Sequence, residues 1–382
     1  MRLFWYLAVT GAVVLWMDDA LAQRHPIADD TLGNERSIVT PEDNIRGRPG
    51  DRIEGGARRG DNLFHSFQEF NIEARRAVYF DDPGVINILS RVTGGNVSDI
   101  QGTLGVLGDA NLFLINPSGI IFGPGARLDV GGSFMATTAD SFVFENGFAF
   151  SATNPQAPPF LTVSVPIGLQ YGTQTPGAIV NQGSLNVNSG QSLILAGGEI
   201  TLDNGRLDAR NLLGGRIELG SVSGTGTVEL EQSGSILSLS IPQALARSDV
   251  RIINGSVIDA RAGDGGSISV TAQKLDILGR NLIATGIGRE QGTANSQAGD
   301  IVLDATDTIT VGTSLIANVV LSNAIGDAGN LRITAGALIV EGSQFQTRTL
   351  GQGDAGDVII SARNQVLFDD GTVLSRVEEG AI

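Results

Sequence analysis

Residues 265–278 read GGSISVTAQKLDIL and open a pattern that recurs along the C-terminal third of the chain. Apolar residues alternate with polar ones over two short runs, which is typical of strands with one buried face. The second Gly of the quoted stretch, Gly266, aligns with Gly299, Gly329 and Gly356, at intervals of 33, 30 and 27 residues. The matching segments are 298–311 AGDIVLDATDTITV, 328–340 AGNLRITAGALIV and 355–368 AGDVIISARNQVLF. The pattern therefore predicts a strand-rich repeat protein.

Each repeat continues into a third short strand, as in residues 281–286, NLIATG. Three strands bounded by turns describe one coil of a parallel β-helix, in which stacked coils bury a shared aliphatic interior. A β-sandwich is the alternative, because Asn-Gly pairs suit the hairpins that such a fold needs. Those pairs stand at residues 146–147, 204–205 and 254–255.

Composition excludes several classes of protein. The 382 residues carry a net charge of −16, so a nucleic-acid partner, which requires a basic surface, is not expected. The chain has 52 Gly and no Cys, which rules out disulfides and thiolate metal sites. Hydrophobic residues make up 41% of the chain, enough for a sizeable core.

The first 22 residues, MRLFWYLAVTGAVVLWMDDALA, have the pattern of a secretory signal peptide. Arg2 precedes an apolar run of 15 residues from Leu3 to Met17, and a small-x-small cleavage site follows. The mature chain is predicted to begin at Gln23. No later stretch is long and apolar enough to span a bilayer, so no membrane insertion is expected after cleavage.

Three segments in the N-terminal half form an ordered signature: 63–72 LFHSFQEFNI, 89–104 LSRVTGGNVSDIQGTL and 110–144 ANLFLINPSGIIFGPGARLDVGGSFMATTADSFVF. Together they resemble the N-terminal secretion domain of the filamentous haemagglutinin family, in its cyanobacterial form, over roughly residues 30–250. That resemblance implies an all-β fold, a right-handed single-stranded parallel β-helix of the pectin-lyase-like type with an N-terminal cap and extra-helical strands.

The resemblance also implies a function. Family members are two-partner secretion exoproteins, which an outer-membrane TpsB-type barrel transporter with periplasmic POTRA domains exports. Many are adhesins or filamentous structural proteins. We therefore expect a location outside the cell or on the surface of a Gram-negative-type bacterium, reached through the periplasm, and a cell-surface or carbohydrate target.

Five residues match the family's NPNGI element: Asn116, Pro117, Ser118, Gly119 and Ile120. Ser118 replaces the second Asn, a change that a β-turn accepts because Ser also bonds its own backbone. The family's upstream NPNL element has no clear match, and residues 82–85, DPGV, stand about where it would lie.

The segment LFHSFQEFNI is the second candidate for recognition by the transporter, through Phe64, Phe67, Phe70 and Asn71. As an unfolded strand it could add to a receptor's sheet edge, with backbone bonds giving affinity and alternate side chains giving selectivity. Strand alternation predicts Phe64 and Phe70 on one face and Phe67 on the other. Further on, the segment from 150 to 172 has four of the 12 prolines and is predicted to run outside the coils.

A secreted carbohydrate-active β-helix enzyme is the main functional alternative, and an inactive fragment of a larger adhesin is another. An enzyme would need clustered acids with a base. His25 and His65 both lie outside the repeats, so no catalytic, metal or cofactor residue is assigned. Asp264, Asp327 and Asp354 occupy equivalent turns and are interpreted as solvated acids.

The predicted organisation has three parts: a signal peptide over residues 1–22, a secretion domain over 23–250, and β-helix repeats over 251–382. Because the last repeat runs directly into SRVEEGAI with no capping segment, we expect the chain to be truncated.

Overall fold

The computed structural model describes residues 25–158, 165–210 and 212–378, and most of them lie in β-strands. The predicted signal peptide and its cleavage site lie outside the described residues. The chain winds repeatedly through three positions, so that parallel strands stack into three ladders, and the all-β parallel β-helix predicted from the sequence is confirmed.

The first ladder contains Asn62–Glu69, Asn87–Val92, Asn111–Ile115, Phe134–Thr137, Ser192–Gly197, Arg216–Ser221, Ser267–Ala272 and Ile301–Ala305. The second contains Ser98–Ile100, Ile120–Phe122, Ile179–Asn181, Ile200–Asp203, Val250–Ile253, Leu275–Leu278 and Thr308–Gly312. Two long strands, Leu331–Glu341 and Val358–Asp369, continue both ladders.

The third ladder completes each coil. It contains Arg48–Gly55, Ala77–Asp81, Thr103–Leu107, Arg127–Asp129, Ser184–Asn186, Arg206–Asp208, Val257–Asp259, Leu282–Thr285, Leu315–Val320, Gln344–Thr349 and Thr372–Val377. Between the last coils, Gly292–Gln297 pairs with Ile325–Asp327 outside the ladders.

The interior is a set of in-register aliphatic rows. One row on the first ladder runs through Leu63, Ile88, Leu112, Phe134, Leu193, Ile217, Ile268, Ile301 and Leu331, all buried. The strands that enclose this core pair in parallel, coil upon coil, so the β-sandwich alternative was wrong. Asn204 and Asn254, which it used as hairpin signals, instead adopt φ of 53° and 59° in turns between parallel strands.

A polar ladder stands at one corner of the first coils. Asn87 donates to the Asn62 side-chain oxygen at 3.0 Å, and Asn111 donates to Asn87 at 2.9 Å. The Asn111 oxygen then accepts from the Ser133 backbone N–H at 2.8 Å. All four residues are buried, so each amide needs the next coil to satisfy it, and the corner helps fix the register of stacking.

Two excursions from the helix build an antiparallel sheet of extra-helical strands. Its strands, in spatial order, are Ala149–Ser151, Ser141–Phe144, Pro166–Tyr171, Gly226–Ser233 and Ile236–Ser240. The pair at 146–147 forms the one true Asn-Gly hairpin, between the first two of these strands. The described part of the proline-rich segment thus lies outside the coils, as predicted.

The extra-helical sheet covers the outward face of the first ladder. The outward row runs Phe64, Leu89, Phe113, Met135 and Ile194, and these side chains pack against the sheet in a second hydrophobic cluster. Beyond Ile194 the row becomes Glu218, Ser269, Val302 and Arg332. The row is entirely apolar from Phe64 to Ile194, where the sheet packs against it, and mostly polar beyond.

The N-terminal cap closes the first coil with antiparallel strands. Ser37–Ile45 pairs with Arg48–Gly55, while Ile27–Ala28 and Ala57–Arg59 both pair with Asn62–Glu69. A short 3-10 helix, Gly33–Glu35, lies between the strands Ile27–Ala28 and Ser37–Ile45. At the other predicted boundary, 250/251, the strand Val250–Ile253 pairs on both sides and the core continues without a break.

Candidate functional site

The segment 63–72 forms a central strand of the folded N-terminal region. Its strand Asn62–Glu69 pairs in parallel with Asn87–Val92, and antiparallel with the two cap strands. Residues 62–67 are all buried. In the folded chain this strand therefore has neither a free edge nor a free face over those residues.

The three phenylalanines divide between two clusters. Phe64 faces outward, with its ring 4.8 Å from that of Phe150 and 5.8 Å from that of Phe144. Phe67 faces the interior, where its ring lies 5.0 Å from that of Phe70. The expectation that Phe64 and Phe70 share a face was wrong, because the strand ends at Glu69 and the chain turns Phe70 inward.

Asn71 lies next to the last residue of the segment 63–72 and hydrogen-bonds it to the next coil. Its side-chain oxygen accepts from the Asp99 backbone N–H at 2.8 Å, and Ile72 bridges to Ile100. Ile100 in turn pairs with Phe122, on the strand that follows the NPNGI-like turn. The fold thus places both predicted recognition elements against one strand, Ser98–Ile100.

The turn 116–120 joins the first and second ladders. Asn116 is fully buried and accepts at Oδ1 from the Ser118 N–H at 3.0 Å, while its carbonyl accepts from the Gly119 N–H at 3.1 Å. Its Nδ2 donates to Asn96 O at 2.9 Å and to Ser98 Oγ at 3.0 Å. Asn116 therefore fixes the turn and also binds it to the preceding coil.

The structure gives a reason for the other residues of the NPNGI-like turn. Gly119 has φ of +126°, and an added Cβ there would lie 3.0 Å from Ala178 O. Ile120 is buried in the interior. Only Pro117 and Ser118 are half-exposed, so the tolerated Asn-to-Ser change falls at a position where no buried partner is lost.

Residues 82–85 also form a turn that links coils. The Asp82 carboxylate accepts from the N–H groups of Gly84 and Val85 at 2.9 and 3.0 Å. Its second oxygen accepts from Asp109 and Ala110 at 3.1 and 3.2 Å. Residues 82–85 stand about where the family's NPNL element would begin with Asn. The Asp82 carboxylate supplies the acceptors that the Asn amide would supply there, although it cannot donate.

A buried arginine network beside the segment 63–72 was missed from sequence. Arg91 is fully buried and donates to Ser66 Oγ, Thr31 Oγ1, and the carbonyls of Ser151 and Gln156, at 2.9 to 3.0 Å. Its guanidinium also lies 4.3 Å from the centre of the Phe150 ring. Burial lowers the pKa of Arg91 to about 10, so the side chain stays charged at neutral pH.

Asp29 is the anion of this network, one hydroxyl away from Arg91. It accepts from Thr31, Ser66 and Thr93 at 2.6 to 2.8 Å. Burial alone would raise the pKa of Asp29, but these hydrogen bonds hold it below its ordinary value. The sequence signal was slight, an Arg beside the apolar residues of NILSRV; the structure buries the whole strand, where an unpaired charge is not tolerated.

The equivalent acids of the repeats accept hydrogen bonds from the backbone of the next coil. Asp264 Oδ1 accepts from the Gln297 N–H at 2.9 Å, and Asp327 Oδ1 accepts from the Asp354 N–H at 2.7 Å, each reaching the next coil. Within residues 25–158, 165–210 and 212–378, no three His, Asp or Glu side chains converge as metal ligands would. His65 is buried, with Nδ1 3.1 Å from Ser37 Oγ, and burial lowers its pKa to about 3.

No helix in the described part of the chain has the length and apolar character needed to cross a membrane.

Comparisons with known proteins identify the family. A sequence model described as the TPS secretion domain matches residues 24–270, well over half of the chain. A heme/hemopexin-binding protein of Haemophilus influenzae is 38% identical over 82 residues, and a second protein of that name is 36% identical over 89. These alignments cover 21% and 23% of this chain but only 9% of either relative.

The fold has a solved counterpart. The crystal structure of the HMW1 secretion domain from Haemophilus influenzae matches with a TM-score of 0.52 at 16% identity. The match covers 92% of this chain and 99% of that one. At this identity the likeness concerns the fold alone, and it supports the β-helix described above.

Proposed function

Because this chain belongs to the TPS secretion domain family, we propose that residues 23–250 carry the export signal of a two-partner secretion exoprotein. Its partner is an outer-membrane barrel transporter, engaged through periplasmic POTRA domains after the signal peptide over residues 1–22 is removed. Residues 251–382 belong to the exported β-helical shaft, which serves adhesion or surface display.

The observation that carries this proposal is the burial of both recognition elements. Phe64, Phe67, Phe70 and Asn116 are at most 1% exposed in the folded chain. A transporter could touch little of either element after folding, apart from Gln68, Glu69, Pro117 and Ser118. The transporter therefore reads these residues in the unfolded chain, before the coils close over them.

Strand addition is a binding mode that suits recognition of an unfolded chain. An extended segment 63–72 offers free backbone N–H and C=O groups to a sheet edge, and its aromatic side chains provide selectivity. Once the segment leaves the pore, the same groups are satisfied by the neighbouring strands of the first coil. Each coil that stacks outside buries more apolar surface and opposes backward movement, with no need for ATP.

Export assays can separate recognition from stability. Phe64→Ser and Phe67→Ser remove side chains of the recognition segment, whereas Phe122→Ser and Phe134→Ser remove equally buried rings outside it. Each change costs folding stability of the order of 3–5 kcal/mol. The full chain would be expressed with and without the transporter, and the secreted fraction measured by immunoblot.

We expect the first pair to reduce export severalfold more than the second pair. Binding of the urea-unfolded chain to the purified periplasmic part of the transporter should fall in the same order. Equal losses of export for both pairs would show that the segment has only a structural role. Export that survives deletion of residues 63–72 would overturn the docking proposal.

A further inference from the structure

A shallow polar groove of about 560 Å³ crosses the outer face of the third ladder. It extends over four consecutive third-ladder strands, from Ser184–Asn186 to Leu282–Thr285, and the turns that follow them. Neighbouring strands lie ~4.8 Å apart, so the groove follows the helix axis for about 14 Å. The residues that give it its chemistry are Asn186, Asn188, Arg210, Arg261, Arg289 and Gln291.

Two aspartates hold two of the arginines in place. Asp208 and Asp259 pair in register on adjacent strands, and each accepts from the arginine two residues later. Arg210 donates to Asp208 from Nε at 3.0 Å and from Nη2 at 2.8 Å. Arg261 donates to Asp259 from the same two atoms, at 3.0 and 2.5 Å. Such two-pronged pairing fixes the guanidinium plane.

The pairing leaves donors free. Among the described residues, the Nη1 atoms of Arg210 and Arg261 have no hydrogen-bond partner. Arg289 is exposed and forms no ion pair within the described chain. Asp208 also binds Arg206, so four arginines here face two aspartates, in a chain whose net charge is −16. A cleft with a local excess of one sign concentrates ligands of the opposite sign.

The groove is also lined by amides and a hydroxyl, from Asn186, Asn188, Gln291 and Ser184, beside Val187, Gly288 and Leu321. These groups hydrogen-bond to alcohols as donors and as acceptors. The acidic charge of the whole chain opposes a densely charged polymer. A ligand with anionic groups separated by neutral hydroxyls fits both the lining and the overall charge.

We propose that this groove binds a linear saccharide that carries carboxylate groups. The carboxylates contact Arg210, Arg261 and Arg289, and the sugar hydroxyls contact the amide side chains between them. The inference is independent of export, because it concerns the folded chain and can be tested on the purified protein.

The probe is hexagalacturonate, compared with uncharged maltohexaose and with a short poly-glutamate, by calorimetry on the folded mature chain. Arg289→Gln removes one exposed charge and should weaken hexagalacturonate binding about fivefold. The paired replacement Asp259→Asn with Arg261→Gln leaves no buried charge unpartnered, and should weaken binding at least tenfold, about the loss of one charge-assisted bond. Arg251→Gln, an exposed arginine on the second ladder, is the matched control and should bind normally.

Far-UV circular dichroism and thermal melting would confirm that each variant folds. Binding of hexagalacturonate that falls in the stated order and weakens with salt supports the proposal. Absence of binding, equal affinity for maltohexaose, or equal losses in the control and groove variants would overturn it. Tighter binding of poly-glutamate would assign the groove to an acidic polypeptide instead and would also overturn it.

Discussion

Replacing Arg91 by Met is the sharpest test of how the N-terminal region is held together. The side chain donates four hydrogen bonds, to the cap at Thr31, to the first coil at Ser66, and to the extra-helical loop at Ser151 and Gln156. Met fills similar space but donates nothing. The change therefore disconnects three parts of the structure without opening a large cavity.

The expected loss of stability follows from the groups that lose Arg91 as a partner. Two backbone carbonyls lose their side-chain donor, and the half-buried Asp29 carboxylate keeps its hydroxyl partners but loses the nearby cation. Removing one partner from a buried charge network costs about 3–5 kcal/mol in free energy of unfolding. Arg332→Gln breaks a pair with Asp300 at 2.8 Å in which the arginine is 47% exposed, and should cost under about 1 kcal/mol.

The measurement is urea unfolding of the mature chain followed by far-UV circular dichroism, since both Trp residues stand at 5 and 16, within the predicted signal peptide. Arg91→Lys, which keeps the charge with fewer donors, should fall between wild type and Arg91→Met. A double-mutant cycle with Asp29→Asn should give a coupling of about 1–3 kcal/mol. An Arg91→Met variant within 1 kcal/mol of wild type would refute the reasoning.

Three further outcomes are expected. Burial lowers the pKa of His65 to about 3, so between pH 6.5 and 5 only the unfolded chain gains a proton at this residue. The free energy of unfolding should therefore fall by about 2 kcal/mol over that range, and His65→Leu should abolish this pH dependence. An unchanged pH dependence in the variant would contradict the assignment. Asn87→Ala should cost about 1–3 kcal/mol in urea unfolding by breaking the amide ladder, and the exposed Asn96→Ala under about 0.5 kcal/mol. Met135→Ala, under the extra-helical sheet, should cost about 2–5 kcal/mol in the same assay, against under about 1 kcal/mol for Val302→Ala in the uncovered part of the same row; equal costs would show that the sheet does not stabilise this face.

The coils could be predicted because their cause is local. Alternation within strands such as SISVTA, together with turn glycines and a period near 30 residues, specifies one buried face per strand and a stack of coils. The chain bears this out from Ser267 to Val377. The same rule failed at Phe70, where the strand ended one residue earlier and the alternation no longer applied.

The extra-helical sheet left a signal that alternation alone does not reveal. Strands NLFLI and SLILAG are apolar at consecutive positions, as expected when both faces of a strand are buried. By contrast, RIELGS and SISVTA alternate, since the cover ends near Glu218. The contrast marks which coils are covered, but it cannot say that the strands within residues 141–151, 166–171 and 226–240 supply the cover.

The arginine networks could not be predicted, because their partners are distant in sequence. Arg91 reaches carbonyls 60 and 65 residues away, and Arg59 donates to Pro158 O across 99 residues. Nothing in the spacing of charged residues indicates such pairs. The groove arginines are a partial exception, since the Asp-x-Arg spacing at 208–210 and 259–261 places each pair on one face of a strand.

These distances also set the order in which the two halves of the chain can close. A coil of the repeat shaft is satisfied by a neighbour 27–33 residues away, so it can stack as soon as the next coil is available. Arg91, by contrast, lacks its loop acceptors, and Phe64 lacks Phe150, until residues 150–156 have also emerged. If the chain emerges N-terminus first, the segment 63–72 therefore stays incompletely covered until residue 156 has also emerged. On the proposed function, the long-range contacts that bury this segment in the folded protein also delay its burial during export.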